Sequence, residues 1–149
     1  MKSNFDLELI KTDVEVKNKN DLLQKMVFDL FRNDYIKDPR GFLEAIITKE
    51  ELHTTGIGYG IAFPHSIHNT VIKQIVVIYT LKEAIEYDAL DFQPVNLVFL
   101  IASPVETNQK YLEILRFLSS ILREKKNRQI ILNTHDRIKL YQFLQGFVQ

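Results

Sequence analysis

From Asp21 onward the apolar residues fall at helical intervals: Leu22, Leu23, Met26, Val27, Leu30 and Phe31. That spacing draws one stripe along a helix over 21–31, with Asn20 as the expected N-cap. Asp38-Pro39 repeats a start signal, a capping carboxylate followed by a proline whose missing N–H costs nothing in a first turn. Phe42, Leu43, Ile46 and Ile47 carry this second helix as far as Glu50. Ahead of both lies a polar lead-in over 1–19 with room for a short strand over 7–10.

The pattern then changes. Gly56, Gly58 and Gly60 fall within five residues, followed by Ile61-Ala62-Phe63-Pro64-His65. Such glycine density destabilises a helix, so the segment reads as a loop entering a short strand. Strands follow over 71–81, 85–90 and 95–102, with a hairpin near 87–93. The runs 75–79 and 97–102 are rich in Val, Ile and Leu, as in strands buried on both faces. Ser103-Pro104-Val105-Glu106 has the form of a capping box. The stripe Tyr111, Ile114, Leu115, Leu118, Ile121 and Leu122 then predicts a helix over 107–124. Short helices over 128–132 and 136–147 finish the chain. Helices, then strands, then helices predict an α/β domain over 1–149, a mixed central β-sheet sandwiched by helices.

Composition narrows the function classes. The chain has 149 residues, 46% of them hydrophobic, enough for one domain with a real core. Its 19 Lys and Arg balance 19 Asp and Glu, which argues against nucleic-acid binding through bulk charge. With no cysteine, disulfides, thiolate nucleophiles and cysteine-ligated metals are excluded. The charged first residues do not form a signal peptide, and no apolar run is long enough to span a bilayer. A cytoplasmic protein without direct membrane insertion is expected, and no cofactor is called for.

Four histidines are present, His53, His65, His68 and His135. His65 and His68 are three apart off a helix, a poor metal site, and a surface pair explains them better. The glycine segment is no Rossmann fingerprint, since Ile61 stands where a third glycine is required, and no P-loop, since Gly60 is followed by Ile61-Ala62. What remains is a histidine directly after a proline that stiffens its approach. A neutral imidazole there can accept and release a group near neutral pH, or simply cap a strand end.

The stretch Thr54-Thr55-Gly56-Ile57-Gly58-Tyr59-Gly60-Ile61-Ala62-Phe63-Pro64-His65 resembles the active-site signature of the fructose/mannitol-type IIA proteins of the bacterial phosphotransferase system. That family includes galactitol-type and nitrogen-regulatory members. The resemblance extends to the N-terminal helix pair, to the hydrophobic strand ending in Ser103-Pro104, and to the helix beginning Tyr111-Leu112-Glu113.

The resemblance implies that His65 takes a phosphoryl group from the phosphohistidine of HPr and passes it to a cysteine on a sugar-specific IIB domain. Phosphoryl transfer needs position and positive electrostatics more than covalent machinery. Gly56 and Gly58 would let backbone N–H groups approach phosphate oxygens, and the Thr54 and Thr55 hydroxyls would add donors. The glycines serve loop geometry equally well, and the threonines serve as turn residues. Two positions depart from the family pattern. Lys49-Glu50 replaces its Arg-Glu pair, keeping the charge but losing the bidentate fork. Tyr111 stands where a second histidine usually completes the site; it can donate a hydrogen bond but cannot become a cation, and it suits plain core packing too. His68 has two readings, a residue flanking the phosphate or an exposed loop histidine. Phe63, Tyr59 and Ile67 are the expected apolar docking rim, with Phe63 also able to point inward. Two functions follow: a sugar-system phosphocarrier, or a regulatory module of the same fold that docks on a partner such as a transcriptional regulator with little transfer.

Overall fold

The computed structural model describes residues 4–105 and 108–148. In chain order the elements are β1 (Phe5–Val14), α1 (Lys19–Arg32), α2 (Pro39–Leu52), β2 (Gly56–Gly58), β3 (Ile61–Ala62), β4 (His65–Ile67), β5 (Ile75–Ile85), β6 (Val95–Ser103), α3 (Asn108–Leu122), α4 (Lys125–Leu132) and α5 (Arg137–Gln145).

Among the described residues the strands form one six-stranded sheet, ordered β1-β5-β6-β3-β2 with β4 also on β6. It is mixed, as expected: β1 runs parallel to β5, β5 antiparallel to β6, and β3 and β4 parallel to β6. β6 is buried on both faces, hence its nearly unbroken apolar run. Its alternate side chains enter different cores. Val98, Leu100 and Ala102 join Leu22, Met26, Leu30, Phe42 and Ile46 from α1 and α2. Leu97, Phe99 and Ile101 join Ile114, Leu118, Ile131 and Leu140 from α3, α4 and α5. The helices therefore cover both faces of the sheet.

The boundaries differ in instructive ways. Helix α1 starts earlier because Asn18, not Asn20, caps it, accepting from the Asp21 N–H at 2.9 Å. Asp38 caps α2 as expected, accepting from the Gly41 N–H. β1 is ten residues long rather than four. Its polar positions lie on an edge strand, and parallel pairing with β5 overrides their weak local propensity. The expected strand over 71–81 is β5, shifted toward the C-terminus, and Val71 makes only an isolated bridge to Ile36. No strand forms over 85–90: β5 ends at Ile85 and the chain turns through Asp88 and Phe92, both at positive φ. Tyr87 and Ala89 of that turn are nevertheless buried against α1 and α2. Ser103 closes β6 rather than capping a helix, its buried hydroxyl accepting from the Gln74 side chain. Glu106 of the expected capping box lies outside the described residues.

Candidate functional site

β3 and β4 lie end to end along the same side of β6, pairing Ile61 and Ala62 with Leu97 and Val98, then His65 to Ile67 with Ile101 to Ser103. Phe63 and Pro64 fill the gap. The proline has no N–H to offer, but its carbonyl accepts from the Ile101 N–H at 2.9 Å. The Phe63 ring is buried and stacked on Phe99, with centroids 5.6 Å apart. It is a core residue, and the expectation that it forms part of an exposed rim is corrected.

This anchoring fixes His65. Its Nδ1 lies 2.9 Å from the Phe63 carbonyl oxygen. A carbonyl only accepts, so Nδ1 carries the proton and Nε2 the lone pair in the neutral ring. Among the described residues Nε2 has no hydrogen-bond partner. Burial is the main cause that lowers the His65 pKa below its ordinary value, and the nearby Lys49 charge adds to it. The Phe63 carbonyl and the Glu50 charge act in the opposite sense. The Tyr111 ring from α3 lies beside the imidazole, centroids 5.1 Å apart and planes tilted by 33°. Burial raises the Tyr111 phenol above its usual range, so this neighbour is neutral.

A cleft of about 400 Å³ opens at His65, lined by Lys49, Leu52, His53, Thr54, Thr55 and His65. The sequence-expected residues Lys49, Thr54, Thr55 and His65 thus meet in one place. The two threonine hydroxyls, however, are already engaged. Thr54 donates to the Tyr87 carbonyl and accepts from the Gly56 N–H. Thr55 donates its hydroxyl and its N–H to the two oxygens of the Glu50 carboxylate. Burial holds the Tyr87 phenol protonated, so it donates to the Thr55 hydroxyl at 3.1 Å. Lys19 completes the cluster, its ammonium 2.9 Å from Glu50 and 4.2 Å from the Tyr87 ring centroid.

The glycines are not part of the cleft lining. A Cβ on Gly56 would stand 2.8 Å from the Ala89 Cβ, so close packing explains that glycine. Gly58 sits at φ 110° in the β2–β3 hairpin, across from the Asp91 carboxylate. Its partner Ile61 pairs with Leu97, four residues along β6 from the partner of His65, which is roughly 13 Å of strand. His68 is also turned to structure: its Nδ1 accepts from the Thr70 N–H, and its ring meets the edge of Phe42. Tyr59 is exposed, with Arg128 over its ring.

Two groups were missed from sequence. The Glu50 cluster had a signal, because Glu50 continues the buried positions Phe42 and Ile46 at intervals of four, a charge on the apolar stripe. His53 stands directly before Thr54, which puts it next to the motif without assigning it a role, and Leu52 had no signal, since its placement depends on how the chain leaves α2.

A family model described as phosphoenolpyruvate-dependent sugar phosphotransferase system, EIIA 2, matches residues 3–146. The fructose-specific EIIABC component of Bacillus subtilis is 35% identical over an alignment of 140 residues that covers 86% of this chain and 22% of that protein, so the chain spans about a fifth of its length. Among solved structures, the nitrogen regulatory protein IIA-Ntr of Neisseria meningitidis is 26% identical with a TM-score of 0.89, over 96% of this chain and 97% of that one. The complex of enzyme IIAMTL and phosphorylated enzyme IIBMTL from Escherichia coli gives a TM-score of 0.82 at 20% identity, over 95% of this chain and 99% of that one, a likeness of fold.

Proposed function

Since the chain belongs to the EIIA type 2 family of the phosphoenolpyruvate-dependent sugar phosphotransferase system, we propose that it is a phosphoryl carrier whose acceptor is Nε2 of His65. The observation that carries this reading is the bond from Nδ1 to the Phe63 carbonyl, which puts the lone pair on Nε2. The Nε2 lone pair attacks the phosphorus of a phosphohistidine on HPr. The N–P bond of the donor breaks, and its electron pair stays on the donor imidazole. In the second step a cysteine thiolate of a IIB domain attacks the same phosphorus and His65 recovers its lone pair. Nδ1 keeps its proton throughout. Lys49, at the cleft, meets the charge of the moving group. Among the described residues no helix is long and apolar enough to cross a membrane, in keeping with a carrier that meets its partners in the cytoplasm.

A regulatory role is the second reading, favoured by the neutral Tyr111 beside His65 and by the likeness to a nitrogen regulatory protein. In that role the chain docks on a regulator and passes little phosphoryl group onward. The test is intact mass after incubation with phosphoenolpyruvate, enzyme I and HPr. One acid-labile phosphoryl group on the wild type and none on His65→Ala is expected. A modification that survives His65→Ala defeats the assignment. Rapid discharge to a IIB domain then separates carrier from regulator.

A further inference from the structure

A phosphoryl group on His65 brings between one and two negative charges into the cleft at neutral pH. The groups able to meet that charge are few. Tyr111 is neutral and the Thr54 and Thr55 hydroxyls are committed to Tyr87, Gly56 and Glu50. Glu50 itself is negative, buried, and bonded to Lys19 and Thr55. Among the described residues lining the cleft, that leaves the Lys49 ammonium and one further polar side chain, the imidazole of His53.

His53 is held for such a role by its backbone. It is the residue at which α2 ends, extended at φ −148° and ψ 116°, with its N–H bonded to the Lys49 carbonyl at 2.9 Å. The side chain is exposed, and among the described residues its ring nitrogens have no partner. A surface imidazole with a fixed backbone and free nitrogens, on the wall that also holds His65, is suited to donate an N–H to an anion placed there.

Resting on the carrier reading above, we propose that His53 is a phosphate-binding residue of the phosphorylated form. It donates a ring N–H to an oxygen of the phosphoryl group on His65, beside the Lys49 ammonium on the same cleft wall. The charged and titratable groups beside it are Lys49, Glu50 and Glu51 on its own helix and His65 on β4 at the same cleft. Of these only His65 changes charge on phosphorylation, so a change at His53 reports the phosphoryl group.

The test uses the full chain, phosphorylated either by phospho-HPr or by the small donor phosphoramidate. The imidazole resonances are followed by NMR before and after loading. The His53 ring resonances are expected to shift when His65 carries the phosphoryl group, as a new hydrogen bond to an anion requires. The equilibrium with phospho-HPr reads the same contact. His53→Ala is expected to shift it roughly tenfold toward the donor, and His53→Gln, which keeps an uncharged donor, by less. His53 is exposed, so neither variant should alter folding, and unchanged thermal melts check this. A phosphorylated wild type in which the His53 ring resonances are unmoved and His53→Ala leaves the equilibrium unchanged overturns the assignment alone. A wild type that accepts no phosphoryl group from either donor overturns the carrier reading and this one with it.

Discussion

Glu50 is the residue on which the site's geometry should depend most, although it does not line the cleft. Its carboxylate is bonded to the Lys19 ammonium at 2.9 Å, the two side chains being 4% and 22% exposed, and accepts both the N–H and the hydroxyl of Thr55. The carbonyl of Thr55 accepts from the Phe63 N–H at 3.0 Å, and the carbonyl of Phe63 takes the Nδ1 proton of His65. A continuous line of bonds thus runs from a buried ion pair to the acceptor imidazole.

Glu50→Ala breaks this line at its source. Removing one member of a buried pair costs about 3–5 kcal/mol, and each hydrogen bond to a charged group about 1.5–3. Lys19 is partly exposed and can turn its ammonium to water, which relieves some of the first loss. Thr55 cannot follow, because its backbone is held by Phe63. The losses overlap, so the total should be about 3–4 kcal/mol. For a chain of this size that corresponds to a melting-temperature drop of roughly 6–16 °C. Calorimetric melts of wild type, Glu50→Ala, Lys19→Met and the double variant measure both the loss and the pair's coupling. A melting point within about 2 °C of wild type for Glu50→Ala, or no coupling with Lys19, would refute the reasoning. Phosphoryl acceptance by Glu50→Ala should fall as well, through loosened positioning of His65 rather than lost contact with phosphate.

Three further outcomes are expected. Because the His65 pKa is lowered, the folded chain binds fewer protons there than the unfolded chain; the stability due to this group is complete above the ordinary histidine value and declines as pH falls toward the lower folded value. The rate of phosphoryl acceptance should correspondingly hold down through pH ~6.5 and fall only below it, and a midpoint above that value would contradict the burial argument. Tyr111→Ala, which uncovers the imidazole, should move the His65 pKa upward by NMR titration while Tyr111→Phe leaves it in place; equal effects of the two would mean that the hydroxyl, not the ring, matters. Gly56→Ala forces a Cβ to 2.9 Å from the Ala89 backbone and should cost about 1–3 kcal/mol in denaturant melts, with no change in melts disproving the close-packing role of Gly56.

The elements whose burial follows a regular period were readable from the chain. The stripes of α1, α2 and α3 and the unbroken apolar run of β6 each state which face is covered. β1 was only partly readable, because its surroundings come from β5, roughly seventy residues away, and its edge position tolerates polar residues. The strand expected over 85–90 failed for the opposite reason. Tyr87 and Ala89 are buried like strand residues, but the positive φ at Asp88 makes that segment a turn, and nothing in residue type announced it. At the site, Lys49, Thr54, Thr55 and His65 were named from the motif and do meet at one cleft. The motif did not reveal that its threonines face inward to Glu50 and Tyr87, since that depends on a carboxylate and a phenol outside it.

The arrangement divides the work of the motif between two neighbouring layers. Phe63 commits its ring to the core beside Phe99 and its carbonyl to His65, so the packing of one residue sets the tautomer of another two positions on. Gly56 and Gly58 shape the hairpin that delivers the chain to β6, and Thr55 ties it to Glu50. These contacts are internal and do not depend on phosphate. In the proposed phosphorylated form, charge compensation comes from the end of α2, where the Lys49 and His53 side chains are exposed on the cleft wall. Substitutions there change how strongly a phosphoryl group is held without disturbing where it is accepted. On the proposed carrier reading, the balance between handing the group on and keeping it should respond to substitutions at Lys49, His53 and Tyr111 more than to substitutions at Gly56 or Gly58.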